Sequence, residues 1–483
     1  MTRRRTLIGL LAPPLLLAAC SFAPDYERPV TAAIPAGFKE APGWQVAAPS
    51  DSVARGEWWT LFGDPVLDSL QRKVLVSNQN LASAKAAYEL ARAIVREQRA
   101  AFFPIVDLSG SGTRGGTFGS SRSGSGGSGG STSSDRYALS VGATWEPDLW
   151  GRIGNTVTQA GAEAEASRAD LVNATLSAQG ELALNYVQIR GIEAQKAILE
   201  ATIEAYYRAL AITQNRYEAG VVQRSDVLQA ETALRNARAD AADLDRQRAA
   251  FEHAIAVLVG ENPSAFTLPP APRSQLVPDA PSILPSTLLE RRPDVAAAER
   301  RVAAANANIG IQRAAYFPAI LLSGDVGYNA QRLGALFDSA SSVWSLGLSG
   351  VLTLLDFGAR SARVDEARAA YEQTVADYRQ TMLTAFQQTE DQLAAARILA
   401  TVAAERTGAA SAATEAEEIA RNQYLVGQIS YADLIVAQTT ALAARRAEAQ
   451  SLVDRRVAAI SLIQAIGGDW SDATPLTRPL PPS

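Results

Sequence analysis

Long stretches of the chain without proline follow a helical pattern. Residues 148–262 and 319–474 contain no proline, and apolar residues within them recur at intervals of three, four and seven among many alanines. The predicted helices cover about residues 151–216, 225–259, 359–421 and 432–466, with two further helices of about 22 residues that end at Phe102 and Tyr316. Such long, alanine-rich helices are typical of coiled-coil contacts rather than of a single globular core.

Four runs of about ten residues alternate between apolar and polar or small residues. The clearest runs from Tyr137 to Glu146, two others cover residues 320–329 and 344–354, and a weaker one runs from Ile105 to Gly112. Alternation over this length is typical of a transmembrane β-strand with one face toward lipid, although a half-buried strand of a soluble sheet shares it. Trp and Tyr near the ends of the runs fit an interfacial aromatic girdle. The pattern therefore favours four membrane strands in two hairpins.

The N-terminus has the pattern of a secretory signal. Three arginines precede the apolar stretch from Leu7 to Ala19, and small residues lead directly to Cys20. The stretch is too short to span a bilayer. Its end resembles a bacterial lipobox, in which the cysteine is lipidated and becomes the first residue of the mature chain; a plain signal peptide with an incidental cysteine is the alternative. Ser21 follows the cysteine, which by the bacterial sorting rule resembles an outer-membrane destination.

The chain contains two similar halves. The segment 215–230, with its Tyr-x-x-Gly turn and following aspartate, reappears as 422–437. Other matching landmarks are Trp150-Gly151 with Phe357-Gly358, Phe103-Pro104 with Phe317-Pro318, and Gly260 with Gly467. The first half carries a few extra residues within 109–134, a segment of mostly Gly and Ser that is typical of a flexible surface loop. Ordered landmarks of this kind predict two internal structural repeats.

Composition argues against catalysis and against nucleic-acid binding. The net charge is −5, and the chain of 483 residues holds one His, His253, and one Cys, Cys20. A His/Cys metal cluster, a Cys–His pair or a disulfide framework would need more of these residues. An acidic balance gives no basis for a nucleic-acid surface. We therefore predict no enzyme, no cofactor and no metal site.

The ordered motifs resemble the TolC-like family of outer-membrane efflux factors, in its lipoprotein branch. The motifs that carry the resemblance are Pro24-Asp25-Tyr26, Trp58-Trp59, Asp64-Pro65, Asp148-Leu149-Trp150-Gly151-Arg152, Arg292-Pro293-Asp294, the two Phe-Pro pairs and both Tyr-x-x-Gly turns. They extend over essentially the whole mature chain. Trp58 and Trp59 are expected to be packing residues of an equatorial region.

The resemblance implies a mainly helical α+β fold and a homotrimer. A long coiled-coil helical barrel would lie in the periplasm and a transmembrane β-barrel in the outer membrane, with four strands per chain and twelve per trimer. The strand count agrees independently, because four strands cannot enclose a lumen whereas twelve can. The expected partners are a periplasmic adaptor protein, an inner-membrane transporter of the RND type and outer-membrane lipid, in a tripartite pump for drugs or other toxic small molecules.

The predicted domain order follows from the repeats and the signal. We predict a signal peptide (1–19), followed by a lipidated N-terminal segment with part of the equatorial region (20–75). The first repeat (76–263) and the second repeat (292–467) are joined by an equatorial linker (264–291). A C-terminal tail (468–483) follows the second repeat.

The resemblance also implies a gate at the helix-hairpin turns, at the end far from the strands, where an adaptor would dock. The candidate residues of this periplasmic tip are Tyr217, Gly220, Asp226, Tyr424, Gly427 and Asp433. Gly220 and Gly427 suit a chain reversal that needs positive φ. For Asp226 we favour a helix-capping role. Asp433 lies where the family places a pore-constricting acidic residue, which threefold symmetry would make a cation-favouring ring.

Two other functions remain open at the level of sequence. An exit duct of a type I protein secretion system uses the same fold, and the lipobox favours the efflux pump over it. A lipid-anchored periplasmic coiled-coil scaffold without a pore is a further alternative, against which the four alternating runs argue.

Overall fold

The computed structural model describes residues 22–29, 39–40, 56–116, 133–269, 277 and 292–468. The predicted signal peptide, Cys20 and nearly all of the predicted C-terminal tail lie outside these residues. The chain divides into two compact units. The first comprises residues 1–29, 89–165 and 300–376, and the second comprises 30–88, 166–299 and 377–483.

Seven α-helices occupy most of the described chain. They are α1 (Pro65–Ser77), α2 (Gln79–Ala100), α3 (Arg152–Glu218), α4 (Arg224–Leu258), α5 (Pro293–Ala314), α6 (Ala359–Leu425) and α7 (Tyr431–Ala465). The four long helices predicted from periodicity are confirmed, with ends within a few residues of those expected. Helix α1 was not predicted, although Pro65 at its first position and Asp64 before it are standard start signals.

Corresponding helices of the two halves have identical lengths. Helices α2 and α5 each have 22 residues, α3 and α6 each have 67, and α4 and α7 each have 35. A helix of 67 residues extends about 100 Å at 1.5 Å per residue. In each half, one β-hairpin lies between the helix of 22 residues and the helix of 67 residues.

The first unit contains a four-stranded antiparallel sheet. Its strands are β1 (Ile105–Gly116), β2 (Ser133–Trp145), β3 (Ala319–Ala330) and β4 (Ser342–Val351), in that spatial order. The two hairpins meet where β2 pairs with β3, so that Val141 lies opposite Val326. Within the described residues, β1 and β4 each pair on one side only.

Two strand boundaries differ from the prediction. Strand β1 continues past Gly112 to Gly116, because its glycines pair with the start of β2 and backbone hydrogen bonds do not require apolar side chains. The predicted Gly/Ser loop is therefore strand at both of its ends, and residues 117–132 lie outside the described residues. Strand β4 ends at Val351 rather than at Leu354, since β3 begins at Ala319 and offers no partner beyond it.

The sheet has one apolar face and one polar face. Residues two apart on a strand share a face, and the register aligns them across strands. The apolar face carries Val106, Leu108, Leu139, Val141, Trp145, Leu322, Val326, Tyr328, Trp344, Leu346 and Leu348. Trp344 and Leu348 expose 80% and 74% of their surface, which is unusual for large apolar side chains gathered on one face. The opposite face carries Asp107, Ser109, Ser140 and Asp325, with the hydroxyl oxygens of Ser109 and Ser140 3.0 Å apart.

The largest hydrophobic core of the second unit surrounds the short 3₁₀ turn Trp58–Phe62. Trp58 and Trp59 are buried, as expected for packing residues, and the ring of Trp58 contacts Trp59 and Phe62 edge-on at 6.0 and 6.4 Å. Next to them, Asp64 caps α1, and the Tyr186 hydroxyl donates a hydrogen bond of 2.6 Å to its carboxylate. This core fixes α1 against α3.

Helices α3 and α7 approach closely at two glycines of α3. A methyl group on Gly191 would overlap Cγ2 of Val453, and one on Gly180 would overlap the side-chain amide of Gln464. At Gly191 the methyl group would have to displace a β-branched side chain, whereas at Gly180 it would meet only the end of a flexible one.

In the part of the chain that the structure describes, no helix combines the length and hydropathy needed to cross a bilayer. The same residues contain no group of His, Cys, Asp and Glu arranged to hold a metal ion.

Candidate functional site at the turns of the helix hairpins

Both helix hairpins reverse through the same backbone geometry. Gly220 and Gly427 have φ of +75° and +77° at the ends of α3 and α6. In the first turn the Val221 N–H donates to the Arg216 carbonyl at 2.8 Å, and the second turn has the equivalent bond. This is the Schellman arrangement, in which a left-handed glycine lets the terminal carbonyls of a helix find donors. The glycines thus have the positive φ that the sequence predicts.

The aspartate of the second hairpin belongs to a capping box. Ser430 is the N-cap of α7, and its hydroxyl accepts from the Asp433 N–H at 3.3 Å. In return, the Asp433 carboxylate accepts from the Ser430 N–H at 3.2 Å and from its hydroxyl at 2.7 Å. The carboxylate of Asp433 is exposed and also favours the positive end of the helix.

The first hairpin lacks this box, and Asp226 is not the N-cap residue of α4. Helix α4 begins at Arg224, and its N-cap Gln223 makes no side-chain capping bond. The longer side chain of Gln223 replaces the hydroxyl that Ser430 supplies in the second hairpin. Asp226 therefore lies within the first turn, half-buried, where the helix dipole favours its charge.

Two buried tyrosines join the hairpins. Tyr424 and Tyr431 are 3% and 1% exposed, and their rings meet edge-on at 5.7 Å. The Tyr424 hydroxyl lies 3.0 Å from the hydroxyl of Thr213, which belongs to the other hairpin. Burial raises the pKa of the Tyr431 hydroxyl, with smaller contributions from the nearby Tyr206 and Tyr424. No described residue forms a hydrogen bond with this hydroxyl, so Tyr431 acts as a neutral packing residue.

Arg216 of α3 holds the end of α6. Its Nη1 and Nη2 donate to the carbonyls of Tyr424 and Leu425 at 3.0 and 2.8 Å. Its guanidinium also lies 4.6 Å from the centre of the Tyr424 ring. A cation at the C-terminus of a helix satisfies carbonyls that lack intrahelical partners. We call Arg216, Thr213, Tyr424 and Leu425 the hairpin latch.

The two equivalent tyrosines of the turns have different environments. Tyr424 is buried in the hairpin latch, whereas Tyr217 is 43% exposed. The structure thus brings together Tyr424, Gly427 and Asp433 around the second turn, and it leaves Tyr217 outside the latch. Cys20 lies outside the described residues.

Sequence reasoning missed three contributors to this site: Ser430, Arg216 and Thr213. Ser430 with Asp433 has the Ser-x-x-acid spacing of a capping box, a signal that was present in the sequence. Arg216 is a basic residue in the last turn of α3, and such residues often cap the carbonyl groups of their own helix. The sequence did not indicate that Arg216 would cap α6 instead. Thr213 carried no signal.

The chain is similar to known outer-membrane efflux proteins. The model of the outer membrane efflux protein family matches residues 70–261 and 284–468. The chain is 30% identical to the outer membrane protein OprJ of Pseudomonas aeruginosa and 29% identical to the probable efflux pump outer membrane protein TtgC of Pseudomonas putida. In both cases the match covers 97% of each chain.

The fold is also that of solved outer-membrane channels. The structure of the channel OprN matches with a TM-score of 0.83 at 30% identity, over 93% of this chain and 100% of that one. With the family model extending through both halves, the chain belongs to the outer membrane efflux protein family.

Proposed function

We propose that this chain forms the outer-membrane exit duct of a tripartite efflux pump that exports drugs or other toxic small molecules. Its relatives are outer-membrane components of efflux pumps, and proteins of this family are ducts, not enzymes. The observation that carries the proposal is the sheet, whose exposed apolar face suits lipid and whose opposite face suits water. A periplasmic adaptor and an inner-membrane RND transporter are the expected partners. The decisive experiment is conductance of the purified protein in planar bilayers, which a scaffold without a pore would lack.

The outer edges of β1 and β4, which pair with no strand among the described residues, support a trimer. Unsatisfied backbone groups in hydrocarbon cost several kcal/mol each, so a free four-stranded sheet is not viable in a membrane. Three copies joined β4 to β1 would give a closed barrel of twelve strands. The equal helix lengths of the two halves support two internal repeats per chain, and thus six similar units in the helical barrel.

We expect native mass spectrometry in detergent to give three times the mass of the mature, lipidated protomer, measured on the same sample after denaturation. The physical reason is that only closure pairs the edges of β1 and β4. A monomer that is stable in lipid with all four strands protected from hydrogen exchange would contradict this arrangement.

Contacts of residues 22–24 support lipid attachment at Cys20. The Phe22 ring stacks on Phe317 at 4.3 Å, just before β3, and the Phe22 carbonyl accepts from Arg313 at 3.2 Å. The Pro24 carbonyl accepts from Asn306 at 2.8 Å. These contacts hold the described start of the chain beside the residues that lead into β3.

Mass spectrometry of the mature N-terminus should therefore find an acylated Cys20 as the first residue. Cys20→Ala should still reach the outer membrane, because the strands anchor the chain without lipid. Cleavage at another residue, with the cysteine unmodified, would contradict the prediction.

The carboxylate of Asp433 is the proposed charge at the gate. Three copies near a threefold axis would repel each other and attract cations. Asp433→Asn should lower cation selectivity and divalent-cation block in bilayer recordings. It should change helix stability by about 1 kcal/mol or less, because Asn also accepts hydrogen bonds at a helix start.

Asp226→Asn is the matched control, since it removes the same charge from the equivalent position of the first hairpin. The cation selectivity of the Asp226→Asn channel should stay near that of the wild type. Equal electrical effects of the two substitutions would refute separate roles, and no effect of Asp433→Asn would exclude it from the constriction.

A further inference from the structure

The loop between β3 and β4 exposes two large apolar side chains. Leu333 and Phe337 expose 65% and 69% of their surface, whereas Leu336 between them is buried. Because β3 follows α5 and β4 leads to α6, this loop lies at the end of the sheet that is far from the helices. Large apolar side chains that are exposed together often mark a contact with another molecule.

Hydrogen bonds within the loop keep it folded. It contains two 3₁₀ turns, Leu333–Ala335 and Ser339–Ser341. The Ser341 hydroxyl donates to the Ala335 carbonyl at 2.8 Å, which joins the second turn to the first. The Asp338 N–H donates to the same carbonyl at 3.2 Å. The exposed side chains therefore belong to a defined surface of the loop.

Phe337 extends the apolar face of the sheet. Its ring meets that of Tyr328 edge-on at 5.6 Å, and Tyr328 shares the apolar face with Val326 and Trp344. A strand that crosses a bilayer needs about 9–11 residues, and Tyr328 is near the end of β3, which has 12. In a membrane-spanning sheet, Tyr328 and Phe337 would lie where the acyl chains meet the head groups.

Arg332 places a positive charge directly before Leu333. Its side chain is exposed, and no residue that the structure describes forms an ion pair with it. Asp338, the other charged residue of the loop, is also exposed and does not pair with it. An arginine in this position can lay its aliphatic stem along an apolar surface and present its guanidinium to a phosphate group.

The other arginines at this end of the sheet have different surroundings. Arg114 of β1 pairs with Asp135 of β2, with a distance of 3.4 Å between nitrogen and oxygen. Arg136 is exposed on the polar face, which it shares with Ser140. Among the described arginines at this end, Arg332 is the one that directly precedes a large exposed apolar side chain.

We propose that the β3–β4 loop binds an anionic, phosphate-bearing lipid of the outer leaflet. Leu333 and Phe337 contact the acyl chains, and Arg332 contacts the phosphate. This inference rests on the proposed function, which puts the apolar face of the sheet in lipid and the helices in the periplasm. Two observations favour a lipid as the occupant, namely the continuity of Phe337 with the apolar face and the charge of Arg332, which complements a phosphate.

The test places one bimane label at a time on the full-length channel in phosphatidylcholine vesicles. Cys20→Ala removes the only natural cysteine, so Phe337→Cys and Leu333→Cys each provide a single thiol in that background. Brominated phosphatidylcholine quenches labels that contact acyl chains, and acrylamide quenches labels that contact water. We expect both loop labels to be quenched severalfold more by the brominated lipid than a label at Ser134→Cys, on the polar face at the same end of the sheet.

Val326→Cys, on the apolar face of β3, separates this inference from the proposed function. Its label should also be quenched by the brominated lipid. Quenching at Val326 without quenching at the two loop positions would refute lipid binding by the loop and leave the membrane sheet unaffected. A label at Val326 that the brominated lipid does not quench would contradict the proposed function itself.

Arg332→Gln tests the contact with the phosphate. In the protein labelled at Phe337→Cys, a small fraction of brominated phosphatidylglycerol should quench severalfold more than the same fraction of brominated phosphatidylcholine. Arg332→Gln should make the two lipids equally effective. Arg136→Gln removes a charge from the polar face at the same end of the sheet and should keep the preference for the anionic lipid.

Three outcomes would overturn the proposal. Quenching of either loop label by acrylamide but not by brominated lipid would show that the loop lies in water. Quenching by neither agent would show that protein covers the loop, which would assign this surface to a second copy of the chain. An equal preference for the anionic lipid with and without Arg332 would refute the contact with the phosphate. If Phe337→Cys does not fold, Leu333→Cys retains Phe337 and carries both measurements.

Discussion

Replacing Arg216 by Gln should increase the bilayer conductance of the channel severalfold or more at low voltage. The substitution removes two charge-assisted hydrogen bonds to the end of α6 and the contact with the Tyr424 ring. Bonds of this kind contribute about 1.5–3 kcal/mol each, less where solvent reaches them. We propose that the hairpin latch belongs to the closed arrangement of the gate. A loss of about 3 kcal/mol from that arrangement would then change the ratio of closed to open states roughly 100-fold.

The effect should be graded along the hairpin latch. Arg216→Lys keeps the charge but not the two-pronged geometry, so its conductance should fall between those of the wild type and Arg216→Gln. Tyr424→Phe removes only the hydroxyl contact with Thr213 and should have a smaller effect. Arg235→Gln removes an exposed arginine whose partner is Glu231 of the same helix, and it should leave conductance unchanged. Wild-type conductance in Arg216→Gln would show that the latch does not limit opening.

Gly191→Ala should destabilise the protein by about 1–3 kcal/mol, the usual cost of overpacking a tight contact. The added methyl group meets the β-branched side chain of Val453, which is buried and has few alternative rotamers. The better helix propensity of alanine, up to about 1 kcal/mol, offsets only part of this cost.

Gly180→Ala, eleven residues earlier on the same helix, is the matched control. Its methyl group meets only the end of the Gln464 side chain, which can rotate away. It should therefore be neutral or stabilising. The apparent unfolding midpoints of the wild type and the two variants should be compared at the same scan rate and in the same detergent. Combining Gly191→Ala with Val453→Ala should recover part of the loss, and strictly additive losses would show that these side chains do not clash.

The long helices could be predicted from sequence because many residues along each helix indicate the same structure. Many alanines and periodic apolar residues, with no proline, determine α3 and α6 together, and no single contact is needed. The end of β1 could not be predicted in this way. Its last residues include Gly112 and Gly116, which carry no alternation, and they are extended because β2 supplies hydrogen bonds.

The candidate site was predictable in location but not in detail. The repeated Tyr-x-x-Gly motif identified both turns, since a left-handed glycine depends on local geometry. Asp433 follows the N-cap residue Ser430 by three positions, whereas Asp226 follows Gln223 by three. A rule based on the capping-box motif would have predicted the different roles of the two aspartates from this difference. The partners of Arg216 lie in the other half of the chain, more than 200 residues away, and no periodicity reports such a pair.

The matched helix lengths restrict how genes for such proteins can gain or lose codons. A seven-residue insertion in α3 alone would lengthen it by about 10 Å relative to α6. It would shift the turn at Gly220 away from the turn at Gly427 and separate Arg216 from the carbonyls it caps. Changes of helix length should therefore be inherited as pairs, one in each half, whereas the loops that join strands can vary singly. Related genes with unequal halves should differ in the strand loops and not in these helices.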